Sequence, residues 1–423
     1  MIKRFQKIGF IIFLIGLFIL PSNFFFGAIL LLFSAILSSI SNRKDYFSDN
    51  WNKSFFICGL LIVFSAISHI LNFNIPFDGI LDSKLSLVGI FNWIPFFWLF
   101  YAFQTYLDSN KKRKSAALML VAGTFPVLIR GFGQYFFNWT GPMELFNGLI
   151  IWYQRPLGNH GLTGPFNNQN YAGAWLSLVW PFSIAFILDK TNKIIKKGSS
   201  IFFFLAIGIS AILTNSRNAW GSILVSLPLV IGIRSLYWLI PIIFTLSLII
   251  TITASDLLVG SVQEIFRLII PEKIWMEFIQ KVNLTRLEIF TSGLQISLIN
   301  PFFGLGAGSF PIIYELQNNN WLGHPHNLFL ELAVSYGYPV ATLLIINVSS
   351  LIIISATIVF SKKLPKEQSI FDKAWWVSIF VFLISQLVDV QYFDGRISIV
   401  FWLLLSGLKA IIEESTLKNK SIN

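Results

Sequence analysis

The sequence predicts an all-α, polytopic integral membrane protein of about twelve transmembrane helices, with a large helical loop on the outer side. Three observations predict it. The 423 residues are 55% apolar and 12% charged, and a soluble domain is about 25% charged. Apolar runs near the length that crosses a bilayer recur along the whole chain. Lys and Arg collect in alternate connections, the pattern that orients membrane helices. Mean hydropathy is +0.70, so a soluble enzyme and a disordered chain are both excluded.

The expected spans follow in order, by residue number: 5–20, 24–40, 55–71, 87–107, 116–137, 170–188, 200–214, 219–233, 236–253, 326–360, 374–390 and 397–411. The first two are joined by Pro21-Ser22-Asn23. No small-residue cleavage site follows the first, so it reads as half of an uncleaved hairpin and not as a signal peptide. The 326–360 run is long for one span. It is expected to hold a short helix, a bend near Gly337-Tyr338-Pro339, and then the span proper. Three regions result: nine spans in 1–253 with an outer loop at 138–169, a loop region at 254–325, and three spans plus a tail in 326–423. The 254–325 region is expected to form amphipathic helices at about 258–270, 272–282 and 284–299 and to end in the Gly304–Gly308 turn.

With the N-terminus inside, the inner connections hold 22 of the 31 Lys and Arg residues. The net charge of +11 is then mostly a topology signal. Lys111-Lys112-Arg113-Lys114 is expected to touch lipid headgroups and not nucleic acid. Cys58 is the one cysteine, so no internal disulfide and no cysteine metal cluster can form. The four histidines have no HExxH spacing.

Unusual residues gather at the outer ends of spans. All four histidines (His69, His160, His324, His326) lie there, with Arg130, Arg155, Arg217 and Arg286. Asn168 or Asn170 can cap the sixth span, in the run Gly161-Leu-Thr-Gly-Pro-Phe-Asn-Asn-Gln-Asn170. Thr214-Asn215-Ser216-Arg217-Asn218 is squeezed between two spans, where an arginine is costly unless it snorkels or finds an anion. Arg286 opens an amphipathic helix and could be an ordinary surface arginine. His326 begins a helix after Pro325. As a metal ligand it lacks a nearby carboxylate or histidine to complete a set, which leaves a polar cap or an acid/base group. The sixth, eighth and tenth spans point their N-termini outward. With Arg155, Arg217 and Arg286, those helix starts would make an anion site at the outer leaflet. Arginine's planar fork suits a diphosphate, and one held at that depth would belong to a lipid. The glycine turn could add N–H groups or could be only a tight bend.

Four motifs carry a family resemblance: Thr163-Gly-Pro-Phe-Asn-Asn-Gln-Asn-Tyr-Ala172, Thr214-Asn-Ser-Arg-Asn218, Arg286 through Asn300-Pro-Phe-Phe-Gly-Leu-Gly-Ala-Gly-Ser-Phe310, and His324-Pro-His-Asn327 with Gly337. In this order they resemble the O-antigen ligase and O-antigen polymerase superfamily. The resemblance implies a multi-helix bacterial inner-membrane glycosyltransferase with a large periplasmic loop and both termini cytoplasmic. It implies transfer of a glycan from undecaprenyl diphosphate to an acceptor hydroxyl, on a sugar, lipid or protein, in surface polysaccharide assembly. It implies no cofactor and no metal. The family's catalytic positions fall on Arg217, Arg286 and His326. Arg155, Asn170, Asn215, Ser216, His324 and Asn327 are the expected substrate-binding set, and Arg130 is a further candidate. Gln169 stands in place of a common proline, and Val340 in place of a small or hydroxyl residue. Both departures weaken a specific ligase reading more than the superfamily reading. The competing class is a transporter for bicarbonate or another anion. That reading wants charge near the bilayer midplane; here Asp389 is near an outer end and Arg234 at an inner turn.

Overall fold

The computed structural model describes residues 2–41, 46–71, 80–145, 147, 150–157, 161–189, 194–254, 261–270, 285–361 and 366–422. Helices occupy the apolar runs, because a backbone in lipid must satisfy its N–H and C=O groups within its own segment. Six open the chain: α1 (Ile2–Ile19), α2 (Phe24–Ser41), α3 (Asn50–Ile70), α4 (Ser83–Ile90), α5 (Ile94–Leu107) and α6 (Asn110–Gly123). Then come α7 (Phe125–Phe137), an antiparallel hairpin of β1 (Gly141–Leu145) and β2 (Ile150–Gln154), and α8 (Gln169–Leu188). They are followed by α9 (Ile194–Leu213), α10 (Arg217–Ile231), α11 (Leu236–Ala254) and α12 (Ser261–Ile269). The last group is α13 (Thr285–Ser297), α14 (Ser309–Asn318), α15 (Leu328–Tyr336), α16 (Tyr338–Val359), α17 (Lys366–Ser385) and α18 (Gly395–Ile422). Met1–Thr124 with Thr285–Asn423 form one compact unit, and Phe125–Leu284 form a second.

The protein is a multi-pass membrane protein, all-α among the described residues apart from one short hairpin. Among the described residues, eight helical stretches are long and apolar enough to cross a membrane: Phe24–Ser41, Asn50–Ile70, Ser83–Leu107, Asn110–Phe137, Gln169–Leu188, Ile233–Thr253, Tyr338–Val359 and Gly395–Leu417. Lys197–Leu213 and Arg217–Ile231 are apolar but shorter. The remaining two of the twelve expected spans fall on α1 and α17. Those helices carry Lys3, Arg4 and Lys7, and Lys366, Glu367, Asp372 and Lys373.

In the first unit, Asn23 turns α1 into α2. Its N–H donates to Ile19 O at 2.9 Å and its Oδ1 accepts from Phe26 N at 3.2 Å. The basic stretch before α6 departs from expectation. Arg113 is 1% exposed, and its guanidinium meets Asp372 at 2.9 and 3.2 Å and Glu414 Oε2 at 2.7 Å. It ties α6 to α17 and α18 and does not reach for headgroups. Removing one partner of such a buried set strands the others, at a cost of about 3–5 kcal/mol. The Arg113→Ala protein is therefore expected to unfold at a clearly lower temperature in detergent, by intrinsic fluorescence.

The C-terminal part of this unit is built around the glycine turn. Ile289 and Ile296 of α13, Leu305, Phe310, Ile313 and Tyr314, and Val334 of α15 share one core cluster. Leu305 N donates to Val334 O at 2.6 Å and Gly306 N to Ser335 O at 3.1 Å. A Cβ on Gly304, where φ is +68°, would sit 2.6 Å from the Ser335 carbonyl carbon. So Gly304–Gly308 is a tight bend clamped onto α15, and three of its N–H groups, those of Gly304, Leu305 and Gly306, are already used. His69 of α3 braces it. Buried, its Nε2 is 3.1 Å from Gly304 O and its Nδ1 3.0 Å from Ser86 Oγ. The bend expected near Gly337 lies between α15 and α16, with Gly337 at φ +85°.

In the second unit, the 138–169 loop holds the β-hairpin, paired from Gly141↔Gln154 to Leu145↔Ile150. The sequence did not announce it, since Gly141 and Pro142 interrupt any alternation. Arg130 anchors it: Nε donates to Gln154 Oε1 at 3.2 Å and Nη2 to Tyr153 O at 2.9 Å. Arg130 thus anchors the hairpin. Of the expected amphipathic helices, α12 and α13 match two; residues 272–282 lie outside the described residues. The short α14 was not foreseen.

Candidate functional site

His324 and His326 lie on the loop that enters α15. Two residues shape it. Asn327 caps the helix, its Oδ1 accepting from Leu330 N at 3.1 Å. His326 adopts φ +53°, a left-handed conformation uncommon for a side-chain-bearing residue. This loop is sewn to the segment after α17. Leu328 N donates to Gln386 O at 2.9 Å, and Asn327 Nδ2 to Leu387 O at 3.1 Å.

That stitching brings Asp389 to His326. Nδ1 of His326 lies 3.0 Å from Asp389 Oδ1, and His324 Nε2 lies 3.7 Å from the same oxygen. The two imidazoles meet edge to face, with centroids 4.5 Å apart. Both histidine side chains are 27% exposed, while that of Asp389 is 6% exposed. The carboxylate is held from behind: Oδ1 accepts from Val390 N at 3.0 Å and Oδ2 from Gln391 Nε2 at 3.3 Å. Gln391 is fixed in turn by Ser385, Gln386 and its own N–H. Burial would raise the Asp389 carboxyl, but the His326 hydrogen bond and both imidazoles hold it below the usual carboxylate value. Burial pushes His324 down to about 4, with His326 adding to the shift and Asp389 opposing it. His324 is therefore a neutral ring at neutral pH. Its Nδ1 accepts from His326 N at 3.2 Å.

The arrangement has the geometry that an orienting carboxylate and a base require. A carboxylate on Nδ1 fixes the ring and its tautomer, leaving Nε2 to take a proton from a hydroxyl. Asp389 is 63 residues from His326, so sequence proximity gave no sign of the pair. The expectation that nothing completes a metal set around His326 is overturned: His324, His326 and Asp389 each offer a ligand atom within 4.8 Å of the others. Asn327 differs from its expected binding role in that its amide is engaged in capping and in the Leu387 tie.

Arg286 stands in the first turn of α13, exposed. Further along that helix, a Cβ on Gly293 would lie 2.9 Å from Pro325 Cβ, so α13 packs on the histidine loop. Seven residues of helix, about 10 Å, separate Arg286 from that contact. Beside the loop opens an apolar cavity of about 300 Å³, whose lining includes Leu328, Phe329, Leu332, Val348, Ile352 and Leu387.

In the second unit, the starts of α8 and α10 are set together. Asn168 Oδ1 caps α8 through Tyr171 N at 2.9 Å. Leu162 N donates to Leu213 O at 2.8 Å, and a Cβ on Gly161 would collide with Thr214 O. Gly173 of α8 faces Ser216. Buried Asn215 takes φ +54° and turns the chain into α10. Ser216 occupies the N-cap with no side-chain cap bond, and exposed Arg217 follows as the first helical residue. Asn170 lies in the first turn of α8, half-buried. Exposed Arg155 is held by its backbone: Gln134 Nε2 donates to Arg155 O at 2.9 Å. The same buried glutamine accepts from Thr163 N and Gly164 N at 2.9 and 3.2 Å. Gln134 was not foreseen, because one polar residue in an apolar helix looks like any buried amide. His160 lies outside the described residues.

Residues 200–345 match the family model for O-antigen ligase, which supports that family assignment. The matched segment contains Asn215, Ser216, Arg217, Arg286, His324, His326 and Asn327, and stops short of Asp389. No curated protein matches the chain.

Proposed function

We propose, from this family match, that the chain is an O-antigen ligase- or polymerase-type glycosyltransferase of a bacterial inner membrane. It moves a glycan from undecaprenyl diphosphate to an acceptor hydroxyl at the periplasmic face, with both termini cytoplasmic. The observation that carries the reading is the 3.0 Å contact between His326 Nδ1 and Asp389 Oδ1. His326 Nε2 removes the proton of the acceptor hydroxyl as its oxygen attacks the anomeric carbon. The bond from that carbon to the diphosphate oxygen breaks, and attack from the opposite side inverts the configuration. Charge gathers on the departing diphosphate, where an arginine fork stabilises it most. Arg286 takes that role on the helix that packs against the histidine loop. Arg217 has it by its motif alone. Arginine charge stands in for a metal in this step. The apolar cavity beside Leu328 suits part of a lipid tail.

The test is made in the native host. With His326→Ala at normal membrane levels, polyprenyl-diphosphate-linked glycan is expected to accumulate while finished surface glycan is lost. Long stored chains would identify a ligase, and single repeats a polymerase. Unchanged pools would remove His326 as the base and bring anion transport forward.

A further inference from the structure

We propose that His324, His326 and Asp389 form a three-ligand site for a divalent metal of the zinc class, and that this metal inhibits the enzyme. Two ligand atoms on a tetrahedral zinc, each about 2.0–2.1 Å from it, stand about 3.3 Å apart. The His326–Asp389 and His324–Asp389 separations of 3.0 and 3.7 Å bracket that value. All three ligand atoms lie within 4.8 Å of one another. Asp389 is fixed by Val390 and Gln391, the kind of backing that orients metal ligands. Both histidine side chains are 27% exposed, which leaves an entry path and room for a water as fourth ligand. Two imidazoles and one carboxylate select zinc, cobalt or nickel over magnesium and calcium, which want oxygen.

The inhibition follows from the tautomer. As base, His326 carries its proton on Nδ1, toward Asp389, and keeps the Nε2 lone pair free. A metal on Nδ1 moves that proton to Nε2. The ring then has no lone pair left to accept a proton from the acceptor hydroxyl. On His324 the metal takes Nε2, the proton moves to Nδ1, and the contact from His326 N–H is given up. No proton is gained or lost overall. Binding rests on the three side chains alone; inhibition rests also on the reading of Nε2 as the base.

The experiment uses the purified full chain in detergent with Co2+ as probe. One Co2+ per chain is expected, with the intense visible absorption of a four-coordinate site, displaced by one Zn2+ and not by Mg2+. His324→Gln and Asp389→Asn are each expected to weaken binding about tenfold or more. X-ray absorption of the zinc-loaded wild-type chain should show two imidazoles, which keeps the test independent of how the variants fold. Absence of a stoichiometric cobalt band, or equal affinity in both variants, overturns the site. Transfer activity is then measured with Zn2+ and after chelation. Loss on zinc and recovery on chelation supports the inhibition. Binding without inhibition leaves the metal site standing and removes Nε2 as the base.

Discussion

Asp389→Asn is expected to lower the turnover of glycan transfer by about 10²–10⁴-fold, the range over which a positioned acid–base pair contributes, with little change in the apparent affinity for the lipid-linked donor. The argument is one of tautomer and orientation. The carboxylate accepts from His326 Nδ1 at 3.0 Å, so Nε2 is presented as a lone pair. An asparagine fits the same space, but its amide can offer an N–H to Nδ1. That places the proton on Nε2 and disarms the base while the ring stays where it is. Asp389 touches no substrate in this account, so it is a positioning residue. A purely structural role would alter donor affinity and protein level together. The split between turnover and affinity, read in a reconstituted assay at matched protein levels, separates the two. Asp389→Glu, which keeps the charge, should recover part of the rate. A wild-type turnover for Asp389→Asn would show that the 3.0 Å contact has no part in the chemistry.

The asymmetry between His326 and Asp389 shows where sequence reading stops. His326 stands out locally: it follows a proline, precedes a helix cap and belongs to a motif. Asp389 has no motif, and its partner is reached only when the segment after α17 is bonded to the start of α15 through Leu328–Gln386 and Asn327–Leu387. Long-range pairing of this kind leaves no periodicity to detect. The same holds for Arg113. In sequence it is one of four consecutive basic residues, and in the fold it alone is buried against Asp372 and Glu414. The apolar runs behave in the opposite way. Their length and spacing are set by the solvent they occupy, so helix positions are readable from composition alone. The hairpin at 141–154 fell between the two cases. It is held by Arg130 from another element, and its short strands carry little pattern of their own. The glycine bends were legible as bends but their partners were not: backbone of Ser335 crowds the missing Cβ of Gly304, and backbone of Phe302 that of Gly337.

Replacing Arg217 or Arg286 with Lys is the other large expected effect, and it tests the leaving-group half of the proposal. Both arginines are exposed at the first turn of a helix, where unpaired N–H groups and the helix dipole favour an anion. Lysine keeps the charge and about the same reach, so an electrostatic anchor would survive the change with a modest loss. A bidentate grip on a diphosphate would not, because an ammonium group cannot present two parallel N–H donors to two oxygens. Each Lys variant is therefore expected to lose about 10²–10³-fold in turnover, the scale on which removing one transition-state donor is felt. The loss should fall on the rate and much less on donor binding, since the charge on the bridging oxygen develops only as the bond breaks. Arg155→Lys provides the contrast. Its position is set by backbone contacts through Gln134, and a headgroup or glycan contact there would tolerate lysine. Near wild-type rates for both Arg217→Lys and Arg286→Lys would remove bidentate diphosphate stabilisation. They would not touch the base assignment, which stands or falls on His326 and Asp389.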